Sequence, residues 1–236
     1  MTPTVYRHAL ETGPWQAFAI TDHAFSLALP DDEPWPHQWH EQPERLWRHR
    51  AFREDKTARY LDSLAAACDG ERLFSGMEVE VTADGALSMD PALREHLDVL
   101  VGSIHYLPGD RTAWVAEHFV QLDALLTYPI DILGHPFRAL AGAGPVPDEV
   151  IDETLARAHA AGVAVEINAH IPFTRDADVL ARAVARGLPI AFGLDAHRRA
   201  ELELHGYFAQ VIAAAGVAED TIRLFQPASV AWPSRP

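Results

Sequence analysis

One cysteine, Cys68, in a chain of 236 residues cannot form an internal disulfide, which suits a reducing compartment. In the helical-looking "YLDSLAAACDG" it reads as a small buried side chain rather than a nucleophile. Positive charge is scarce too. Nineteen Lys and Arg stand against 34 Asp and Glu, for a formal net charge of -15. Such a surface repels phosphate backbones and anionic membranes, which argues against a nucleic acid polymer as the main partner. A small anionic substrate stays compatible if the site brings its own positive charge, as metal ions would. No apolar run approaches the length of a membrane span. The opening "MTPTVYRHALETG" lacks the basic-then-apolar layout of a secretion signal, so the cytoplasm is the expected location.

Apolar residues are plentiful, at 48% of the chain, and the length fits one large domain over residues 1–236. Strand-length apolar runs recur at Gln16–Ile20, Leu73–Val81, Asp98–Tyr106, Ile130–His135, Val163–Asn168 and Pro189–Leu194, with a weaker one at Thr221–Phe225. Most are near-continuous rather than alternating, as parallel strands covered on both faces should be. Amphipathic helices separate them: "RHRAFREDKTARYLDSLAAA", "AWVAEHFVQLDALLTY", "DEVIDETLARAHAAG", "ADVLARAVARG" and "AELELHGYFAQVIAAAG". The third follows Pro147 and stops at Gly162, a start and a stop with known causes. Strand alternating with helix predicts right-handed βαβ units and a parallel sheet, closed or open. The loop "SLALPDDEPWPHQWHEQPERLW" breaks the rhythm and follows a strand end, where long structured loops often cover an active site.

Ionisable residues gather at those strand ends. "AFAI" exits into Asp22 and His23. Glu78 and Glu80 share one face of their strand, with Val79 on the other. Further ends carry His105, His135, Glu166 with Asn168, and the pair Asp195 and His197. Each alone has a bland explanation: a hydrogen-bonded structural histidine, a Glu80 facing solvent, a Glu166 paired with a helix cation. Together, successive ends of parallel strands point to one mouth of the fold, where active sites are built. Histidine nitrogen with carboxylate oxygen suits zinc, manganese or iron, and argues against calcium. The lack of cysteine ligands argues against a structural zinc site, and open hydrolytic sites use this ligand mixture.

In order along the chain, "TDH" (Thr21–His23), "GMEVE" (Gly76–Glu80), "GSIH" (Gly102–His105), "DILGHP" (Asp131–Pro136), "VEIN" (Val165–Asn168) and "GLDAH" (Gly193–His197) resemble the polymerase and histidinol phosphatase (PHP) domain family. The form of "GMEVE" and the loop after "TDH" look most like its histidinol-phosphatase branch. The resemblance implies a distorted (β/α)7 TIM-like barrel with up to three divalent metals. By motif position it implies His23, Glu78, His105, His135, Asp195 and His197 as ligands. Glu78 would bridge two metals and, with His105 and His135, hold one of them; His23 and His197 would share a third. Asp22 and Asn168 would lie behind the ligands or face substrate. Family members are usually phosphoesterases in which metal-activated hydroxide attacks phosphorus, with no protein nucleophile.

The chain departs from the family pattern at its start. The family opens with a strand carrying an H-x-H pair, whereas "VYRHALETGPWQAFAITDH" reads as the end of the first helix running into the second strand. His8 would then sit on a helix facing solvent. Three expectations follow: a true start upstream, a reduced member holding fewer metals, or replacement ligands among His37, His40 and His170. Loss of the first strand would leave two open sheet edges and a tendency to pair with another copy. The leading expectation is a phosphatase for a small phosphorylated metabolite, histidinol phosphate first and a nucleotide second. Arg138, Arg175, Arg198 and Arg199 are candidate phosphate partners. The alternatives are an impaired barrel acting as a metal-binding or interaction module, and an amidohydrolase-type metal barrel.

Overall fold

The computed structural model describes residues 1–29, 37–48 and 50–227. The chain opens on helix α1 (Pro3–Thr12) and strand β1 (Phe18–Ile20). Three short helices, α2 (Ala24–Ala28), α3 (His37–Glu41) and α4 (Glu44–Arg48), lead to the long α5 (Arg50–Ala67). Strands β2 (Leu73–Val79) and β3 (Val99–Ser103) come next, then α6 (Trp114–Leu125), β4 (Ile132–Gly134), α7 (Arg138–Ala141) and α8 (Asp148–Ala161). The order closes with β5 (Ala164–Asn168), α9 (Asp176–Ala185), β6 (Ile190–Gly193) and α10 (His205–Ala215). The six strands pair in chain order, all parallel, and curl into a half-barrel with helices between them.

Side-chain alternation along these strands decides what lies inside the curl. Leu73, Met77, Leu100, Leu133, Val165 and Ile167 belong to the large buried cluster that also holds residues of α6, α8 and α9. Each such side chain contributes roughly 1.5–3 kcal/mol by leaving water. The opposite parity supplies Phe74, Val99, Val101, Ile132 and Ala164, a separate small cluster joined by Ala17, Ala191 and Phe225. On that parity Phe74 and Gly76 are followed by Glu78 and then Glu80. Register carries the same parity across the sheet, with Glu78 beside Val101 and Glu166 beside Ala191. An apolar plug thus underlies a layer of ionisable residues at the carboxyl ends of the strands.

Helix α8 follows Pro147, carries Asp148 and Glu149 in its first turn and stops at Gly162, whose φ of 71° is left-handed. Acidic groups near the positive helix end and a glycine at the left-handed stop are both favourable. The strands are shorter than the apolar runs suggest, because β2 yields at Val81 to an antiparallel bridge with Leu87. The segment Thr221–Phe225 forms no full strand. It reduces to one parallel bridge, Leu224 with Ile190, fixed by Ile190 N–H to Arg223 O and Phe225 N–H to Ile190 O, both 2.8 Å. The expected single helix after Arg199 is a 3₁₀ turn (Arg199–Glu203) followed by α10.

The irregular loop after β1 folds into helices of its own. Phe25, Ala28, Leu29, Trp39 and Leu46 form a separate small core beneath it, while residues 30–36 of that loop lie outside the described residues. His8 is exposed on α1, as its helical placement predicts. Among the described residues no helix is long and apolar enough to cross a membrane.

Candidate metal centre

Backbone pairing brings the first two site strands together. After β1 ends, His23 makes one more parallel bridge to Glu78, and Glu78 N–H donates to Asp22 O at 3.0 Å. Tyr60 locks this exit from behind: its hydroxyl accepts Asp22 N–H at 3.2 Å and donates to Gly76 O at 2.8 Å. A Cβ at Gly76 would come within 2.7 Å of Thr21 and 2.8 Å of Val99 O, so the close approach of β1 and β3 to β2 requires glycine there.

Three imidazoles then meet two carboxylates. Glu78 Oε1 lies 3.3 Å from His105 Nε2 and 3.2 Å from His135 Nε2, and its Oε2 lies 3.3 Å from His23 Nδ1. Glu80 Oε1 lies 3.0 Å from His105 Nδ1 and 3.5 Å from His23 Nδ1, while Glu80 Oε2 accepts from Ser88 Oγ at 3.0 Å. The ring of His105 is 5.1 Å from that of His23 and 4.8 Å from that of His135. Glu78 and Glu80 are only 7% and 3% exposed, so both charges need compensation inside the protein.

Electrostatics show how strongly these groups depend on one another. Burial opposes ionisation of Glu78, but His105, His135 and His23 outweigh it and hold its carboxyl well below the usual range. Burial likewise works against Glu80, and His105 and His23 bring it down. His105 has a carboxylate at each ring nitrogen. Burial alone would lower its pKa, yet Glu78 and Glu80 push it up to about 10. The donor set of imidazole nitrogens and carboxylate oxygens fits a divalent cation of the zinc, manganese or iron type. Single donor atoms of His23, Glu78 and His105 lie within 4.8 Å of one another, and His135 Nδ1 is buried with no hydrogen-bond partner. Such a cation would serve the two buried carboxylates in place of a proton on His105.

Two strand ends next to the cluster are strained. Among the described residues only His135 (φ 25°) and Asp195 (φ 45°) are non-glycine residues at positive φ. Non-glycine residues in this region cluster at functional sites, where surrounding contacts over-determine them. For His135 the contact is Glu166, whose Oε2 accepts His135 N–H at 2.7 Å. Asn168 Nδ2 donates to the same oxygen at 3.2 Å. Burial raises the Glu166 pKa most; His135 pulls it down, and the neighbouring Glu78 charge raises it by less. Glu166 has room only because β6 carries Gly193 two residues beyond its partner Ala191: a Cβ there would stand 1.7 Å from Glu166 Oε1. Asp195 is held by Arg138, whose Nη1 donates to Oδ2 at 3.0 Å.

His23, Glu78, His105 and His135 therefore form one contact cluster. Asp22, His23, Glu78, His135, Asn168, Asp195 and His197 line a single cavity of about 290 Å³ that runs along both edge strands. Burial raises the Asp22 pKa, with the N-terminus and His23 pulling the other way. Asn168 faces inward but is committed: its Oδ1 accepts the N–H of His170 at 3.0 Å and of Ile171 at 3.3 Å. His197 lines the same cavity as His23. Its side chain is 53% exposed and gathers with His170 and Glu201.

Several bland readings are corrected. Glu80 does not face solvent; it shares the inward parity of Glu78. Glu166 meets a backbone amide rather than a helix cation. His40 is not an exposed loop histidine but 2% exposed, with Nδ1 2.9 Å from Val81 O, because Trp39 beside it anchors the loop core. The side chain of His37 lies outside the described residues. Of the four arginines, Arg138 reaches the site, Arg175 is tied to Asp148, Asp178 and Val146 O, and Arg198 and Arg199 are exposed. Sequence reasoning missed Glu201, although its place four residues after His197 offers a shared face.

No family model matches the chain. Over 188 residues, 78% of its length, it is 28% identical to the DNA polymerase/3'-5' exonuclease PolX of Bacillus subtilis, and it spans 29% of that protein. Among solved structures, a chain of archaeal ribonuclease P with mature tRNA overlaps 92% of it, with a TM-score of 0.41 and 14% identity. An archaeal fructose-1,6-bisphosphate aldolase overlaps 90% of it, with a TM-score of 0.34 and 12% identity. Overlap that loose supports no conclusion about activity. What the comparisons show is that this chain is similar, over most of its own length, to a bacterial polymerase and exonuclease.

Proposed function

We propose that the chain is a PHP-type, metal-dependent phosphoesterase acting on a small phosphomonoester. The observation that carries this reading is the meeting of three imidazoles with two buried carboxylates beside a cavity at the carboxyl ends of parallel strands. The sequence relative acts on nucleic acid by its name, which supports phosphate-ester chemistry. Here the cavity of about 290 Å³ lies at the small end of ligand sites, and the net charge of -15 disfavours a polymer. A nucleoside monophosphate and histidinol phosphate are the first substrates to test.

Glu78, His105 and His135 would hold one cation, with His23 and Glu80 completing its surroundings, and Asp195 would offer a further carboxylate. Bound there, divalent ions would supply Lewis acidity toward water and phosphoryl oxygens. Glu166 and Asn168 position His135 through its backbone amide. Arg138 stands where a phosphate oxygen could replace the Asp195 carboxylate. The seventh strand of a (β/α)7 barrel would correspond to the Leu224 bridge or to a segment between the two edge strands. The test is turnover of an aryl phosphate with added manganese or zinc. Turnover that His135→Ala or Asp195→Ala lowers by about 100-fold or more supports the mechanism, and turnover untouched by both rules it out.

A further inference from the structure

The resemblance places His197 with His23, and in the fold its side chain also gathers with His170 and Glu201. We propose that His170, His197 and Glu201 form a separate divalent-cation site on the rim of the cavity. One donor atom from each of the three lies within 4.8 Å of the others. The two rings are 4.8 Å apart at 34°, and His170 Nδ1 is 3.6 Å from Glu201 Oε1.

Two of the three donors are already oriented by the backbone. Glu201 Oε2 accepts the N–H groups of His197 at 2.6 Å and Arg198 at 3.0 Å, which leaves Oε1 turned toward His170. His197 Nδ1 is 2.8 Å from the Asp195 carbonyl, which can only accept, so Nδ1 carries the hydrogen and Nε2 keeps its lone pair. A hydrogen bond of this kind from the second ring nitrogen is what fixes metal-binding imidazoles. His170 is anchored through its backbone N–H on Asn168 Oδ1. The only cation near Glu201 Oε1 among the described residues, besides the histidines, is Arg198 Nε at 4.0 Å, on a side chain that is 84% exposed and free to move off.

Two imidazoles and one carboxylate with open positions suit zinc, and also manganese or iron. This ligand set borrows nothing from Glu78, His105 or His135. An ion on the rim would place positive charge at the mouth of a cavity whose lining includes Asp22, Glu78, Glu166 and Asp195, all of which repel phosphate. That role rests on the phosphoesterase reading; the binding of the ion does not.

The test is a count of zinc bound to the full chain by calorimetric titration, with metal analysis after gel filtration. His170→Ala and Glu201→Gln should each lose one binding event or weaken it about 100-fold or more, a larger loss than removal of a supporting hydrogen bond. The glutamine keeps an acceptor for the amides of His197 and Arg198, so its loss would not reflect unfolding. Both variants should retain the event that His135→Ala abolishes. Equal stoichiometry and affinity in the wild type and both variants overturns the site, as does a loss in His170→Ala without one in Glu201→Gln. If His135→Ala loses nothing while the two rim variants lose one ion, the rim site stands and the central centre falls.

Discussion

Gly193→Ala is the most demanding mutation for this account, because a methyl group would reach the candidate metal centre through a relay. The new Cβ would stand 1.7 Å from Glu166 Oε1 and 2.4 Å from its Cδ. Nothing can tolerate that overlap, so the Glu166 side chain must leave. Overpacking of this kind costs about 1–3 kcal/mol. Displacing Glu166 also strips the acceptor from His135 N–H, and an unsatisfied buried donor costs about 1–3 kcal/mol more. With partial relaxation, a stability loss of about 2–4 kcal/mol is expected. At a urea m-value of about 2–3 kcal/mol/M, the unfolding midpoint should fall by roughly 1 M. The diagnostic background is Glu166→Ala, which removes the obstacle. There Gly193→Ala should cost almost nothing, since an added Cβ also restricts the unfolded chain by about 0.4–1 kcal/mol. The double-mutant cycle should therefore show a coupling of about 2 kcal/mol or more. Equal costs in both backgrounds would refute the claim that Gly193 exists to admit Glu166.

Two pH effects follow from other buried histidines. His118 is fully buried, with Nε2 3.0 Å from Thr154 Oγ1; burial and then the Arg157 charge push its pKa down to about 4. Because the folded value lies below the unfolded one, its stabilisation is complete above about pH 6.5 and is lost as pH falls toward 4, up to about 3 kcal/mol in all. His118→Gln should flatten the stability profile across that window relative to the wild type, and an unchanged slope would contradict it. His105, pushed up to about 10 by its two carboxylates once burial is overcome, holds a proton at neutral pH. A cation needs the neutral ring, so zinc binding at pH 7 should release about one proton. Titration calorimetry in buffers of different ionisation enthalpy measures this, and zero release would contradict the proposed charge state.

The fold was legible because its signals are local. Six apolar runs separated by amphipathic helices became six parallel strands in order, and Pro147 and Gly162 bounded α8 where helix ends require them. Part of the cluster follows from strand parity: Glu78 near the end of β2 and Glu80 just beyond it face the same way, although Glu80 taken alone reads as facing solvent. What escaped depends on packing that no local pattern encodes. His40 is buried because Trp39 docks against Phe25 and Leu46, residues of the irregular loop and its flanks. Glu166 looked like a surface partner because its true partner is a backbone amide on another strand. His197 and Glu201 are close in sequence, but His170 reaches them only through the Asn168 turn. The weak run at Thr221–Phe225 came to a single parallel bridge, Leu224 with Ile190.

The central claim is that His23, Glu78, His105 and His135 converge on a divalent cation. Crystals grown with manganese or zinc, measured at the metal's absorption edge, test it most directly. An anomalous peak within about 2.0–2.3 Å of Glu78, His105 and His135 donor atoms is the predicted result. Peaks confined to other places, with those side chains still bonded to one another, would contradict it.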